Sequence, residues 1–378
     1  MKRSRLLALV TTATTVVALA ACAAPEDDDE GTTTESGVSA AEATSVEDFG
    51  TMDDLIAAAQ EEGELNVIAL PPDWANYGEI IDTFAEKYDI EVNSDQPTAA
   101  SQDEINAAND LKGTDRAPDV FDLGQSVALA NLDLYAPYQV ETWDDIPDEF
   151  KDPDGAWVND YGGYMAIGYD SAKVPDVTSV EDLLGPEFRG KVALNGDPTQ
   201  AGAAFSGVMM AAIANGGSAD DIAPGVDFFG ELKNAGNFLP VDPDSATIES
   251  GQTPVVIDWE YLNVGQTKAL EGQRDWQLVV PEGAVVGAFY VQAINKDAPH
   301  PAAARLWQEF LFSDEGQNIW LQGFARPVRL EAMVEAGTVD NEAAANLPEA
   351  KGTPVFLTQE QLAQQQQHLL ENWEQAVE

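Results

Sequence analysis

The chain has 378 residues, with 67 Asp or Glu against 18 Lys or Arg and a formal net charge of −49. That length builds one large domain or two lobes, and an apolar fraction of 44% with eight Trp excludes a disordered acidic polypeptide. A field this negative repels nucleic acid and anionic lipid surfaces, while two His and one Cys exclude a Cys/His zinc site and any internal disulfide.

Residues 1–21 have the form of an export signal. Lys2, Arg3 and Arg5 precede an apolar run from Leu6 to Ala21 that is short for a membrane span. Leu19-Ala20-Ala21-Cys22 resembles the lipobox of bacterial lipoproteins, so Cys22 is expected to be acylated and to become the new N-terminus. An ordinary signal peptide with a chance Cys is the alternative. Residues 22–46, which include PEDDDEGTTTESG, offer almost nothing to bury and are expected to form a disordered acidic tether. Paired acids further on, such as Asp53-Asp54 and Asp220-Asp221, fit either a solvated surface suited to high salt or a bias toward cations.

The body alternates helices and strands. Thr51 caps a predicted helix that carries Asp53 and Asp54 at its N-terminal end and stops at Gly63. Residues 64–71 read as a buried strand, 78–88 as a helix with Ile80, Ile81 and Phe84 on one face, and 90–92 as a strand. A helix over 103–112 precedes a strand over 118–123. The Gly- and Tyr-rich segment 161–169 reads as a crossing between lobes, and Ser179-Val-Glu-Asp-Leu-Leu as a short helix with a capping box. Strands follow at 191–195, 253–258 and 276–281, with an Ala-rich helix ending at Gly216-Gly217 and a return crossing expected near 284–292. Helices over 301–311, 314–322 and from Thr358 complete the chain. Such alternation predicts a parallel sheet covered by helices on both faces.

Several segments carry a resemblance. Ala117-Pro-Asp-Val-Phe-Asp-Leu, Val180-Glu-Asp-Leu-Leu-Gly-Pro-Glu-Phe-Arg-Gly-Lys-Val-Ala, Gly196-Asp-Pro-Thr and Ser250-Gly-Gln-Thr-Pro-Val occur in order with Pro299-His-Pro-Ala-Ala-Ala-Arg-Leu-Trp-Gln-Glu-Phe-Leu and Ser313-Asp-Glu-Gly-Gln. Across about 65–325 they resemble the solute-binding lipoproteins of bacterial ABC importers, in the branch that includes spermidine/putrescine-, ferric-ion- and 2-aminoethylphosphonate-binding proteins. The resemblance implies an α/β, two-lobed periplasmic-binding-protein-like fold (type II) with a ligand cleft between the lobes. On that frame the first lobe takes 47–165, the second 166–286, and 287–378 holds the return to the first lobe and the C-terminal helices. Gly162, Gly163 and Gly168 are expected to absorb hinge motion. The implied partners are a small solute and the transmembrane permease subunits, with the chain a lipid-anchored monomer outside the cytoplasm. Neither cofactor, metal nor catalytic residue is expected.

In such folds ligands meet the loops that follow the strands. The first candidate loop supplies Asp73, Trp74, Asn76 and Tyr77, and the second supplies Gln125 and Ser126. Asp197 and Thr199 come from the third, where Asp197 either binds ligand or caps the next helix. The fourth holds Asp258, Trp259, Glu260 and Tyr261, and Tyr290 lies on the return crossing. Acidic groups with aromatics, and no Arg or Lys in these loops, point to an organic cation of the polyamine kind. A phosphonate or other small anion held by helix N-termini is the alternative. The ferric-ion relatives use an adjacent Tyr pair, and Phe289-Tyr290 and Trp259-Glu260-Tyr261 depart from it, which disfavours iron. A secreted glycosidase or a purely structural surface lipoprotein is more remote: no nucleophile elbow, His-Glu-x-x-His or phosphate-binding Gly-rich motif occurs.

Overall fold

The computed structural model describes residues 37–377. The export signal, Cys22 and the first part of the tether therefore lie outside the described residues. Residues 40–46, assigned to the tether on composition, pack onto the body. Ala40, Ala43 and Val46 are buried, and Arg305 donates to the carbonyls of Ala41 (2.8 Å) and Ala43 (2.7 Å). Three small apolar side chains spaced three apart suffice for docking, although the composition around them is polar.

In the first part of the chain α1 (Met52–Glu62) has Thr51 as its cap, accepting from the Asp54 N–H, and ends at Gly63 with φ 74°. β1 (Glu64–Ile68), α2 (Tyr77–Tyr88) and β2 (Glu91–Asp95) form a unit whose two strands pair in parallel. α3 (Ser101–Asp110), β3 (Val120–Leu123), α4 (Gln125–Ala130) and the short β4 (Tyr135–Ala136) follow. The long strand β5 (Val158–Asp170) then crosses the molecule. Beyond it come β6 (Val192–Leu194), α5 (Gly202–Ala214), α6 (Ala223–Ala235) and α7 (Ser245–Ser250). β7 (Val255–Trp259), α8 (Glu260–Ala269) and β8 (Trp276–Val279) lead to β9 (Gly287–Asn295), which returns. The chain ends with α9 (Pro301–Leu311), α10 (Asp314–Gln322), β10 (Arg326–Pro327), α11 (Leu330–Ala336), α12 (Asn341–Ala344) and α13 (Gln359–Val377).

Two lobes meet along β5. Up to Tyr164 this strand pairs with β9 and β10, and from Met165 onward it pairs with β7 and β8. β3 and β4 extend the first set through β9, and β6 extends the second through β7. Among the described strands only β1–β2 and β6–β7 are parallel, so the sheet is mixed where alternation alone predicts a parallel one. The cause is topological: β9 returns antiparallel to β5, and β3 pairs with β9 instead of a sequence neighbour. The helix expected at 179–184 is a single tight turn, Glu181–Leu184. The Asp182 carboxylate accepts from the Thr178 N–H and hydroxyl and from the Ser179 N–H, which ties the turn down from within.

Gly162, Gly163 and Gly168 all lie in β5 at negative φ, so unusual dihedrals are not what requires glycine there. A Cβ at Gly162 would meet the Ala288 carbonyl oxygen at 2.1 Å, and one at Gly168 would meet Asn263 Oδ1 at 1.8 Å. These glycines let neighbouring segments approach the crossing strand. Among the described residues no helix is long and apolar enough to cross a membrane.

Candidate functional site

Between the two sets of strands lies a cavity of 190 Å³. One wall comes from the loop after β1 (Ala69, Pro71, Trp74), the start of α3 and Asp122 of β3; Asn195, Gly196, Asp242 and the first residues of α5 form the other. Tyr290 of β9 closes the side. The loop after β1 is strained, with Ala69, Ala75 and Asn76 in the left-handed region at φ 59°, 46° and 68°. Its conformation is fixed by Trp74 N–H to Pro71, Tyr77 N–H to Trp74 and the Asn76 amide to the Ile319 carbonyl (3.1 Å). Strain held by such bonds is a common mark of a working site.

Asp122 stands at the centre of a buried network. Trp74 Nε1 donates to the Tyr161 hydroxyl (2.8 Å), and Gln292 Nε2 donates to the Tyr77 hydroxyl (3.1 Å). Each tyrosine therefore turns its own proton toward Asp122 Oδ2, at 3.0 Å and 2.8 Å. Oδ1 has no partner. Gln292 also donates to Asp160 (2.8 Å), while Glu104 of α3 accepts from the Asp122 N–H (3.0 Å). Burial raises the Asp122 carboxyl pKa, against the lowering effect of the two tyrosines, and holds Glu104 well above the usual carboxylate range.

On the opposite wall burial pushes the Asp258 carboxyl up to about 7, with Asn195 and the Trp259 N–H bonded to it. Burial also raises Asp242, whose carboxylate is bonded to the Gly196 backbone. The aromatic side is continuous. Trp74 meets Tyr290 edge-on at 5.8 Å and Tyr261 at 6.0 Å, Tyr290 stacks with Tyr161 at 5.4 Å, and Trp259 stacks with Tyr261 at 6.2 Å.

The residues expected from sequence divide into several groups. Trp74 and Tyr290 line the cavity, Tyr77 stands behind Asp122, and Asp258 stands behind Asn195. Gln125, Ser126 and Trp259 border a smaller 30 Å³ cavity that shares Tyr290 and Gly202 with the main one. Tyr261 is buried in the aromatic cluster, its hydroxyl without a partner. Glu260 is committed elsewhere: its carboxylate takes Arg326 Nε at 2.6 Å, a cation that loop spacing did not reveal. Asn76 is bonded away to Ile319, and Asp197 caps its own turn by accepting from the Thr199 N–H (2.9 Å) and hydroxyl (2.7 Å). Asp73 is exposed and accepts from Ser245 Oγ at 3.1 Å, a bond that joins the loop after β1 to α7.

Glu104, Asp122, Asp242, Asn195 and Tyr161 were not among the expected residues. Asn195 opens the third candidate loop, and Asp122 left its own trace, a charged side chain inside the short buried strand Val-Phe-Asp-Leu. Among the described residues no group of three His, Cys, Asp or Glu side chains is placed to hold a metal ion.

The model of the bacterial extracellular solute-binding proteins matches residues 119–361. The chain belongs to that family. Solute-binding proteins of this family work outside the cytoplasm and bind small molecules rather than transform them. Similar solved structures share the two-lobed fold. AgtB from A. tumefacien R10, in complex with agropinic acid, is 14% identical with a TM-score of 0.66, covering 83% of this chain and 98% of its own. Iron-bound HitA from Pseudomonas aeruginosa is 19% identical with a TM-score of 0.59 (83% and 99%). AfuA from Actinobacillus pleuropneumoniae, with fructose-6-phosphate bound, is 15% identical with a TM-score of 0.61 (82% and 99%). No curated protein matches the sequence.

Proposed function

We propose that this solute-binding protein captures a compact, polyamine-like organic cation and delivers it to the permease of an ABC importer. The observation that carries the reading is the carboxyl residue Asp122, which lines a cavity together with Glu104 and Asp242 and no basic side chain, and whose Oδ1 is buried and unpartnered. An ammonium group there satisfies the orphan oxygen and neutralises crowded carboxylates, while Trp74 and Tyr290 cover the methylenes. Size narrows the class. A cavity of 150 Å³ holds benzene, so 190 Å³ suits a four-carbon diamine better than a longer polyamine.

A second reading has its own support. Gly202 and Ala203, the first residues of α5, also line the cavity, and a helix N-terminus favours an anionic group. A 2-aminoethylphosphonate would place its ammonium at Asp122 and its phosphonate at α5. Calorimetric titration with putrescine, spermidine and 2-aminoethylphosphonate separates the two. The cation reading expects putrescine to bind most tightly. Phosphonate binding without diamine heat overturns it and leaves the transport role in place.

The lobe limits 47–165, 166–286 and 287–378, a monomeric state and acylation at Cys22 belong to the same proposal. Expressed in a bacterium that processes lipoproteins, Cys22→Ser should move the protein from the membrane fraction to the soluble one. Retention in the membrane fraction would refute the anchor.

A further inference from the structure

The C-terminal helix α13 touches the second lobe at several places unrelated to the cavity and at one directly behind it. Trp373 packs against Phe229 and Phe238, with ring centroids 5.3 Å and 6.4 Å away. Gln365 Oε1 accepts the Ile222 N–H at 3.0 Å, and Gln361 Nε2 donates to Asp220 at 2.9 Å. At the remaining place Gln366 Nε2 donates to the carbonyls of Thr199 (2.9 Å) and Pro198 (3.4 Å). Those carbonyls lie in the middle of the loop whose two ends, Asn195-Gly196 and Ala201–Ala203, face the cavity. On its far side the helix reaches α4, where Leu362 borders the small cavity beside Gln125 and Ser126.

We infer that Gln366 is a positioning residue for the ligand site, holding the 195–203 loop against the cavity from behind. The inference rests on the reading of the cavity as the ligand site. Inside the loop, Asp197 accepts from the Thr199 N–H, and its carbonyl accepts from Gln200 (2.9 Å) and Ala201 (2.7 Å). These bonds shape the turn but do not fix it in space. Asp258, Asp242 and the Ile257 carbonyl anchor the end at Asn195-Gly196, and the Gln366 amide anchors the middle at Pro198-Thr199. It must donate: its Oε1 has no partner, and an acceptor in place of Nε2 would face two carbonyl oxygens. Sites depend on such supporting contacts, since a displacement of about 1 Å at the ligand is enough to weaken binding.

The test uses the full chain and three variants. Gln366→Met keeps the length and removes the donor, Gln366→Glu keeps the shape and reverses the polarity, and Gln361→Ala loosens α13 without touching the loop. Putrescine titration is read beside melting temperature, and amide exchange at Thr199, Gln200 and Ala201 is followed in the ligand-free proteins. Both Gln366 variants should weaken putrescine about tenfold and accelerate exchange at those amides. Gln361→Ala should lower the melting temperature with affinity within about twofold of wild type. Affinity losses that track melting temperature across all three variants would overturn the inference, because Gln366 would then be one more structural contact. If wild type takes up no putrescine, the cation reading fails, and the exchange measurement still decides: unchanged rates in Gln366→Met would refute positioning, and faster rates would support it.

Discussion

The hydroxyls of Tyr77 and Tyr161 occupy one oxygen of Asp122 and leave the other buried without a partner, in a residue that lines the cavity. Asp122→Asn preserves volume but removes the charge, so putrescine affinity should fall ten- to a hundredfold by calorimetry, the range expected for a charge-assisted bond. Glu61→Gln, on the exposed face of α1, should leave affinity nearly unchanged in moderate salt. Glu260 behaves differently because its charge is neutralised by Arg326 away from the cavity. Glu260→Gln should leave affinity nearly intact and cost about 1–3 kcal/mol of stability, measured by denaturant unfolding, since it strips a largely buried guanidinium of its counter-charge. Such differences were invisible to spacing. Asp122 and Glu260 both read as acids at or near a strand, and the partners that separate their roles arrive from residues 39 to 66 positions away.

Elements were more legible than contacts. Thr51 and Gly63 delimit α1 by local chemistry, and the apolar runs at 64–68 and 255–259 form strands because burial on both faces needs no partner information. The direction of pairing was not legible, since it depends on where β9 returns. Glycine shows the same division between local and non-local causes. Gly162→Ala forces a Cβ to within 2.1 Å of a backbone oxygen and should destabilise by about 1–3 kcal/mol. Gly265, inside α8, has open space where a Cβ would go, and Gly265→Ala should stabilise by about 0.4–1 kcal/mol. Thermal melts of the two variants should move in opposite directions.

At the scale of the molecule, the buried acids tie stability to pH. Burial pushes the carboxyls of Glu62, Asp258 and Glu309 up to about 7, so the folded chain keeps protons that the unfolded chain has released above its ordinary values of 4.5 for Glu and 3.8 for Asp. The folded state then binds more protons, and stability falls as pH rises from about 4.5 to about 7. Asp48 and Asp182, lowered first by the backbone N–H groups of Thr44 and Thr178, act in the opposite sense and lose their contribution below pH of about 4. Melting temperature should therefore peak between about pH 4 and 4.5 and exceed its value at pH 8. Cation affinity should change the other way, rising between pH 5 and pH 8 as the cavity carboxylates ionise, with protons released on binding. A melting temperature that climbs steadily to pH 8 would contradict the burial argument. The net charge of −49 adds a further dependence: added sodium chloride should raise the melting point at pH 8 by screening self-repulsion.

Trp74 is a half-buried indole at the cavity wall, hydrogen-bonded through Nε1 and flanked by tyrosines, and Trp259 borders the adjoining smaller cavity. Half-buried Trp143 lines neither cavity, and Trp157, Trp276, Trp307, Trp320 and Trp373 are buried elsewhere. Their emission should be insensitive to the cavity's contents, and Trp74 emission should respond to a charge arriving beside it. The protein thus carries an intrinsic optical reporter of occupancy, and stopped-flow fluorescence can time capture and release without a dye.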